Sequence, residues 1–256
     1  MSANVRIQHF ATTCPICDES LVFTAMDDFW DARDGLLAAG CGLGGCTTRE
    51  RAVASVLRSL YPLDHLRTMV IHESSAAPRG LARWLRATCP GYVATGYFPG
   101  VARGEIVGGV RNEDLCAQTF ADGSFDLVLH LDVLEHLFDP FAALREIART
   151  LAPGGACVFT APTDPARMWS EQVAFLEPDG LRIVGEPEYH GNPHGDGALV
   201  TWRYGYDLPL LIQRETGLDV EVRRFQSRTH AAMGLMTEVY ILRLSSASVP
   251  PGGNPK

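Results

Sequence analysis

Several residue groups in this chain are spaced for chemistry. Cys14-Pro-Ile-Cys17 places two thiols one turn apart around a proline, which is half of a zinc knuckle. Cys41 and Cys46, spaced C-x4-C, would supply the other half. Four thiolates would close the coordination shell, so such a site would be structural rather than catalytic. The alternative is that these thiols pack without metal. A second group is His190, in Tyr189-His-Gly-Asn-Pro193-His194, and a third is Glu135-His136. An imidazole titrates near neutrality, which suits a general base. His190 is the candidate base, with His194, Tyr204 and Asp207 as possible partners. Its competing role is that of a loop histidine bonded to backbone. His136 could contact an acceptor or methyl donor, or simply cap its helix. Asp114 is a candidate hydrogen-bond acceptor or a turn cap.

The elements that must hold these groups follow from periodicity. Arg49 to Leu60 predicts a helix, with Ala52, Val53, Val56, Leu57 and Leu60 on one face. Thr68 to Glu73 predicts a buried strand, Gly80 to Ala87 a helix, and Tyr92 to Phe98 a second strand. Phe125 to Leu131 is the clearest strand. A helix with Phe141, Leu144, Ile147, Ala148 and Leu151 on one face follows, stopped by Pro153-Gly154-Gly155, and Ala156 to Thr160 is the next strand. Strands alternating with helices predict an α/β fold with a doubly wound, mostly parallel sheet.

Composition bounds the partners. The chain has 256 residues, 46% of them apolar, with formal net charge −8 and no Lys/Arg run. The acidic balance argues against nucleic acid as the main partner. No apolar stretch reaches the length of a membrane span, and the first residues lack the layout of a signal peptide. A cytoplasmic protein is expected, with its seven cysteines reduced. Three parts are expected: a Cys-rich, zinc-ribbon-like segment at 1–48, an α/β domain at 49–244 with inserted loops in its C-terminal half, and a disordered tail at 245–256. Oligomeric state is open.

The stretch Asn112 to Pro162, with FADGSFDLVLHLDVLEHLFDP and FAALREIARTLAPGGACVFTAP, resembles class I S-adenosylmethionine-dependent methyltransferases of the small-molecule branch. The resemblance covers roughly Met69 to Pro162 and implies a Rossmann-like sheet that binds its ligand at the carboxyl ends of the strands. It implies that Asp114 accepts from the adenine amino group, that Leu115 offers a backbone N–H, and that Leu131 and Asp132 face the crevice. Where the family has an acidic residue and Gly-x-Gly-x-Gly, this chain has His72-Glu-Ser-Ser-Ala-Ala-Pro-Arg-Gly80. Glu73 would stand for the acid, Ser74 and Ser75 for the closely approaching backbone, and Gly80 would open a helix toward the ligand. The family's ribose-binding carboxylate is missing from Ala94 to Phe98, and Tyr97 or Thr95 would replace it. In similar members a second CxxC precedes the Arg49-Glu-Arg-Ala52 helix. Cys41 fits its first cysteine, while Gly44 occupies the second position and Cys46 lies two places beyond.

The variant loop together with His-Gly-Asn-Pro resembles a methyltransferase-like subgroup associated with glycan or secondary-metabolite assembly. The reading is therefore methyl transfer from S-adenosylmethionine to a small-molecule or sugar-containing acceptor, with structural zinc in the N-terminal segment. The alternative is a non-catalytic binding or scaffold domain with a degenerate cofactor loop. A dinucleotide oxidoreductase would need a GxGxxG turn that is absent after the first strand. A nucleic-acid modifier with a zinc module conflicts with the acidic charge.

Overall fold

A computed structural model describes residues 7–26, 33–38, 40–192 and 195–244. The tail expected to be disordered lies outside these residues, as does His194. Strands β1 (Ile7–Thr13), β2 (Ser20–Met26) and β3 (Leu37–Ala38) form a small antiparallel sheet. The β1–β2 turn carries Cys14 and Cys17 and is closed by Cys14 N–H donating to the Glu19 carbonyl. Helix α1 (Thr48–Leu60) starts at Thr47, whose N–H and hydroxyl both donate to the Glu50 carboxylate, a capping-box arrangement. Its buried face includes Ala52, Val53, Val56 and Leu57, the stripe predicted by spacing.

After the short α2 (Leu63–Leu66), strand β4 (Ile71–Ser74) is wholly buried. It begins three residues later than expected, because Thr68 and Met69 still donate back to the carbonyls of His65 and Leu66. Helix α3 (Gly80–Thr88) and strand β5 (Tyr92–Gly96) follow, and then the edge strands β6 (Ile106–Val107) and β7 (Val110–Asn112). Strand β8 (Phe125–Leu131) has the expected bounds. A turn of 3-10 helix, Leu134–His136, leads to α4 (Pro140–Thr150), where the Asp139 side chain caps the Ala142 N–H at 2.8 Å and Pro140 takes the first position.

Strand β9 (Leu151–Thr160) absorbs Pro153-Gly154-Gly155 instead of being preceded by it. Its pairing with β8 jumps from Phe125–Leu151 to Leu127–Ala156, so residues 152–155 bulge out of the ladder. A Cβ on Gly155 would lie 2.9 Å from the Ala152 carbonyl and 3.0 Å from that of Asp126, which leaves no room for a side chain.

The insertion after β9 forms three small antiparallel pairs. These are β10 (Glu171–Gln172) with β15 (Trp202–Arg203), β11 (Ala174–Glu177) with β12 (Gly180–Ile183), and β13 (Tyr189–Asn192) with β14 (Gly195–Leu199). Helix α5 (Leu208–Thr216) and strands β16 (Asp219–Arg224) and β17 (Glu238–Arg243) complete the chain.

The main sheet has eight strands in the order β16-β17-β9-β8-β4-β5-β7-β6. The inner run from β9 to β7 is parallel, and antiparallel strands close both edges. This is the α/β, doubly wound, mostly parallel architecture that the alternation predicts. Each strand sends alternate residues to opposite faces. Leu127, Leu129, Val158, Val239 and Ile241 join one core with α1, Cys14, Ile16, Phe23, Leu36 and Cys46. Val128, Cys157, Phe159, Tyr240 and Leu242 join the other with Leu144, Ile147 and Ile212. The Cys-rich segment thus shares a core with the sheet.

Candidate active site

Strand order reverses between β4 and β8, and crevices form at such switch points beyond the carboxyl ends of the strands. A cavity of about 1430 Å³ opens there. Its lining includes Glu73, Ser74, Ser75, Tyr97, Asp114, Leu115, Leu131, Asp132, His136 and His190, all expected from the sequence.

The members of this set differ in what they leave free. Glu73 is buried at the end of β4 and accepts from the Tyr92 hydroxyl at 2.6 Å. Burial pushes its pKa up to about 7, against the lowering effect of that hydrogen bond. Ser75 adopts φ +55, turning the chain where the family has glycine. Tyr97 is 55% exposed, whereas Thr95 is buried and bonded to His72 Nε2 at 2.9 Å, which removes it as a ribose partner. Asp114 Oδ1 accepts from the Cys116 N–H at 2.9 Å, so it does cap a turn while lining the cavity.

Two expected cofactor residues are engaged by the chain's own groups. Gly80 does not line the cavity, and the N-terminus of α3 is not open to a ligand, because the Glu50 carboxylate fills it. Glu50 accepts from the Leu81 N–H at 3.1 Å and from Arg79 Nη1 at 2.5 Å. Gly80 has φ +53, and a Cβ there would lie 2.0 Å from Glu50 Oε1. Glycine at this position makes room for the chain's own carboxylate. Asp132 lines the cavity, but its carboxylate is spoken for: Arg33 and Arg49 both bind Oδ2, and the Thr160 hydroxyl donates to Oδ1 at 2.7 Å. Burial opposes its ionisation, yet the two guanidinium groups and the hydroxyl hold its pKa below the usual range.

One turn of α1 distributes these roles. Arg49 reaches Asp132 and also Asp34, at 2.9 Å. Glu50 caps α3. Arg51 is fully buried and donates to the carbonyls of Leu36 at 2.6 Å, Ala231 at 2.6 Å, and Cys46. It also lies over the Phe23 ring, 4.8 Å from its centroid. Consecutive helical residues point about 100° apart, which sends three neighbours to three different tasks.

At the other end of the cavity, the 3-10 turn and the β13–β14 hairpin bring His136 and His190 together, with ring centroids 5.3 Å apart. His136 Nδ1 donates to the Leu199 carbonyl at 2.9 Å, and its Nε2 faces Glu135 Oε1 at 3.7 Å. His190 Nε2 donates to Glu188 Oε1 at 3.1 Å, and its Nδ1 faces the same Glu135 oxygen at 3.8 Å. The carboxylates of Glu135 and Glu188 raise the His190 pKa above its ordinary value, against burial. Two of the expected partners are engaged elsewhere, and the third, His194, lies outside the described residues. Tyr204 donates to the Leu134 carbonyl and Asp207 accepts from Ser170, while Glu135 and Glu188 flank His190. Glu188, Arg33, Arg49 and Glu50 were not singled out as site residues. The capping-box spacing Thr47–Glu50 was legible as a signal for Glu50, but its second use on α3 was not.

Among the cysteines, Cys14 and Cys46 are buried with sulfurs 4.0 Å apart. Cys17 and Cys41 are half-buried against the same core. The Cys46 thiol hydrogen-bonds Cys14 and pulls its pKa down, and burial pushes Cys17 up to about 12.

Residues 37–159 match a family model described as a methyltransferase domain. The match begins inside the Cys-rich segment. A ubiquinone biosynthesis O-methyltransferase from Caulobacter sp. (strain K31) is 36% identical over 90 residues, covering 27% of this chain. This chain thus spans only 36% of the length of that relative. The sugar N-methyltransferase KedS8 from Streptoalloteichus sp. ATCC 53650 superposes with a TM-score of 0.51 at 16% identity, covering 76% of this chain and 86% of the other. A glycopeptide N-methyltransferase, MtfA, complexed with S-adenosylhomocysteine, superposes with a TM-score of 0.50 at 14% identity, covering 78% and 91%. At those identities the likeness establishes the fold. Among the described residues no helix is long and apolar enough to cross a membrane. The family match and the sheet order agree: residues 37–159 match a methyltransferase domain, and the chain has the doubly wound fold of these methyltransferase structures.

Proposed function

We propose that the chain transfers a methyl group from S-adenosylmethionine to a small-molecule or sugar-containing acceptor. The observation that carries this reading is the single cavity at the switch point, which joins the variant loop to the histidine corner. At about 1430 Å³ it exceeds the roughly 300–1,000 Å³ of a one-ligand pocket and has room for cofactor and acceptor together. S-adenosylmethionine supplies a methyl group already activated on a sulfonium. The protein then has to align the acceptor and exclude water. Asp114 and Leu115 hold adenine, and Glu73, Ser74, Ser75 and Tyr97 hold the ribose and amino-acid part. Leu131 forms a wall between them. The His136–His190 corner receives the acceptor and removes a proton from it if the nucleophile is a hydroxyl. The structural relatives include a sugar N-methyltransferase and a glycopeptide N-methyltransferase, which supports a polar acceptor.

The expected structural Zn²⁺ site at Cys14, Cys17, Cys41 and Cys46 rests on one close pair: among the described residues no three of these sulfurs lie within ligand distance of one another, so the other thiols would have to move in for an ion to be held. Two thiolates about 2.3 Å from a tetrahedral ion lie about 3.8 Å apart. The Cys14–Cys46 separation of 4.0 Å fits that geometry.

The scaffold alternative draws on two observations, the Glu50 carboxylate at the α3 N-terminus and the Arg33–Asp132–Arg49 cluster, which occupy polar groups a ligand would use. Isothermal titration of the full chain with S-adenosylhomocysteine decides between them. Saturable binding supports the methyltransferase reading, and no heat at millimolar ligand supports the scaffold. With binding in hand, His190→Ala should lower turnover far more than it lowers cofactor affinity, and wild-type turnover would remove His190 from the acceptor site.

A further inference from the structure

We infer that Glu135, His136 and His190 form a binding site for one divalent transition cation on the acceptor wall of the cavity. The inference rests on the methyltransferase reading for its role, but the site itself stands on geometry. Glu135 Oε1, His136 Nε2 and His190 Nδ1 all lie within 4.8 Å of one another. Glu135 is 1% exposed, and neither of its carboxylate oxygens has a hydrogen-bond partner among the described residues. A buried carboxylate left unpartnered is strongly unfavourable unless a cation meets it.

The tautomers make the case. A backbone carbonyl can only accept, so the bond to Leu199 places the His136 proton on Nδ1 and leaves a lone pair on Nε2. The Glu188 carboxylate does the same for His190, placing its proton on Nε2 and a lone pair on Nδ1. Both lone pairs face Glu135 Oε1, at 3.7 and 3.8 Å. Three acceptors thus converge with no donor between them. Something positive belongs there, and the candidates are a proton and a metal ion. The nearby cation Arg49 is already committed to Asp132 and Asp34.

The surroundings favour the metal. Histidines that ligate metals commonly donate their second N–H to a carbonyl or a carboxylate, which fixes the ring and raises its basicity. Here His136 has the carbonyl and His190 the carboxylate. Ligand atoms about 2.1 Å from a shared ion are roughly 3–3.5 Å apart, so the two contacts to Glu135, at 3.7 and 3.8 Å, need to shorten by a few tenths of an ångström, and the two imidazole nitrogens, within 4.8 Å of each other, by up to about 1.5 Å. Two imidazoles and one carboxylate suit Zn²⁺, Co²⁺ and similar ions better than Mg²⁺. Three protein ligands leave coordination positions open, and His136 and His190 line the cavity, so those positions face the space for an acceptor oxygen. His190 then acts by holding the ion, and its hairpin completes the site only when β13 and β14 are folded against the 3-10 turn.

Co²⁺ separates this site from the cysteines, because thiolate ligands give intense charge-transfer absorption and nitrogen–oxygen sites do not. The full chain, stripped with chelator and kept reduced, is titrated with CoCl₂ and bound cobalt is counted after dialysis. Wild type should hold one equivalent more than Glu135→Gln and than His190→Ala, with the thiolate bands equal in all three. Equal stoichiometry in wild type and both variants would overturn the cation site and leave a proton as the occupant. Because His190 lies on a half-exposed hairpin, His190→Ala remains informative if Glu135→Gln does not fold. S-adenosylhomocysteine titration of the same samples reports separately on the methyltransferase reading: binding that persists while the extra equivalent is missing rejects the ion alone, and an extra equivalent without binding rejects that reading alone.

Discussion

Replacing His130 with leucine should alter how the protein responds to acid, by an amount that the structure sets. His130 is the penultimate residue of β8, paired between Ser74 of β4 and Phe159 of β9. It is fully buried, stacked on the Phe159 ring at 4.5 Å, and neither ring nitrogen has a partner among the described residues. Burial, reinforced by the neighbouring His72, holds its pKa down to about 3 against an ordinary 6.5. As pH falls below 6.5 the unfolded chain binds a proton at this position and the folded chain does not. Wild-type stability therefore declines in that window by up to about 1.36 kcal/mol per pH unit from this residue. Between pH 8 and pH 5 the loss comes to about 2 kcal/mol.

Leucine has no proton to take up. The urea-unfolding free energy of His130→Leu minus that of wild type should therefore rise by about 2 kcal/mol from pH 8 to pH 5, measured in reductant. Packing differences shift both pH values equally, and other titrating groups, Glu73 foremost, are common to both proteins and cancel. A difference that is the same at pH 8 and pH 5 would refute the reasoning, since it would mean that the folded imidazole takes up its proton over the same pH range as the unfolded one.

Asp114→Ala should weaken S-adenosylhomocysteine binding roughly tenfold, the loss of one good hydrogen bond, while leaving the unfolding midpoint near wild type; unchanged affinity by titration calorimetry would remove Asp114 from the adenine site. Gly80→Ala places a Cβ against the Glu50 carboxylate in a left-handed backbone conformation. It should cost on the order of 2–4 kcal/mol, from strain plus the lost cap, and a wild-type urea midpoint would contradict it. Arg51→Leu leaves the carbonyls of Leu36, Cys46 and Ala231 without their donor. A loss of at least about 3 kcal/mol is expected, with faster protease cleavage in the Cys-rich segment, and wild-type resistance would show that the guanidinium is not what ties that segment down.

Much of the scaffold was legible locally. The short apolar run Phe125 to Leu131 reads as a buried strand and the stripe on Arg49 to Leu60 repeats with the 3.6-residue period of a helix, and the structure has those elements with nearly those bounds. The position of Asp114 and of the Glu73–Ser75 stretch at the crevice followed from strand order, once the family resemblance supplied it. Pro153-Gly154-Gly155 does follow the end of a helix, as its composition predicts, but these residues bulge within a strand because β8 beside them supplies a ladder to rejoin.

What the chain alone determined is the set of repeating dihedrals and apolar faces, because these depend on neighbours a few residues away. Which polar groups meet was decided only when strands distant in sequence lay side by side. Arg49 finds Asp132 across 83 positions and Arg33 finds it across 99, closing a carboxylate that looked free. Glu50 reaches Leu81 across 31 and takes a helix end that looked open. His190 meets Glu135 only because a hairpin far along the chain folds back over the turn after β8. Periodicity carries no information about such pairs, since the hydrogen-bonding capacity of a side chain is the same wherever its partner comes from.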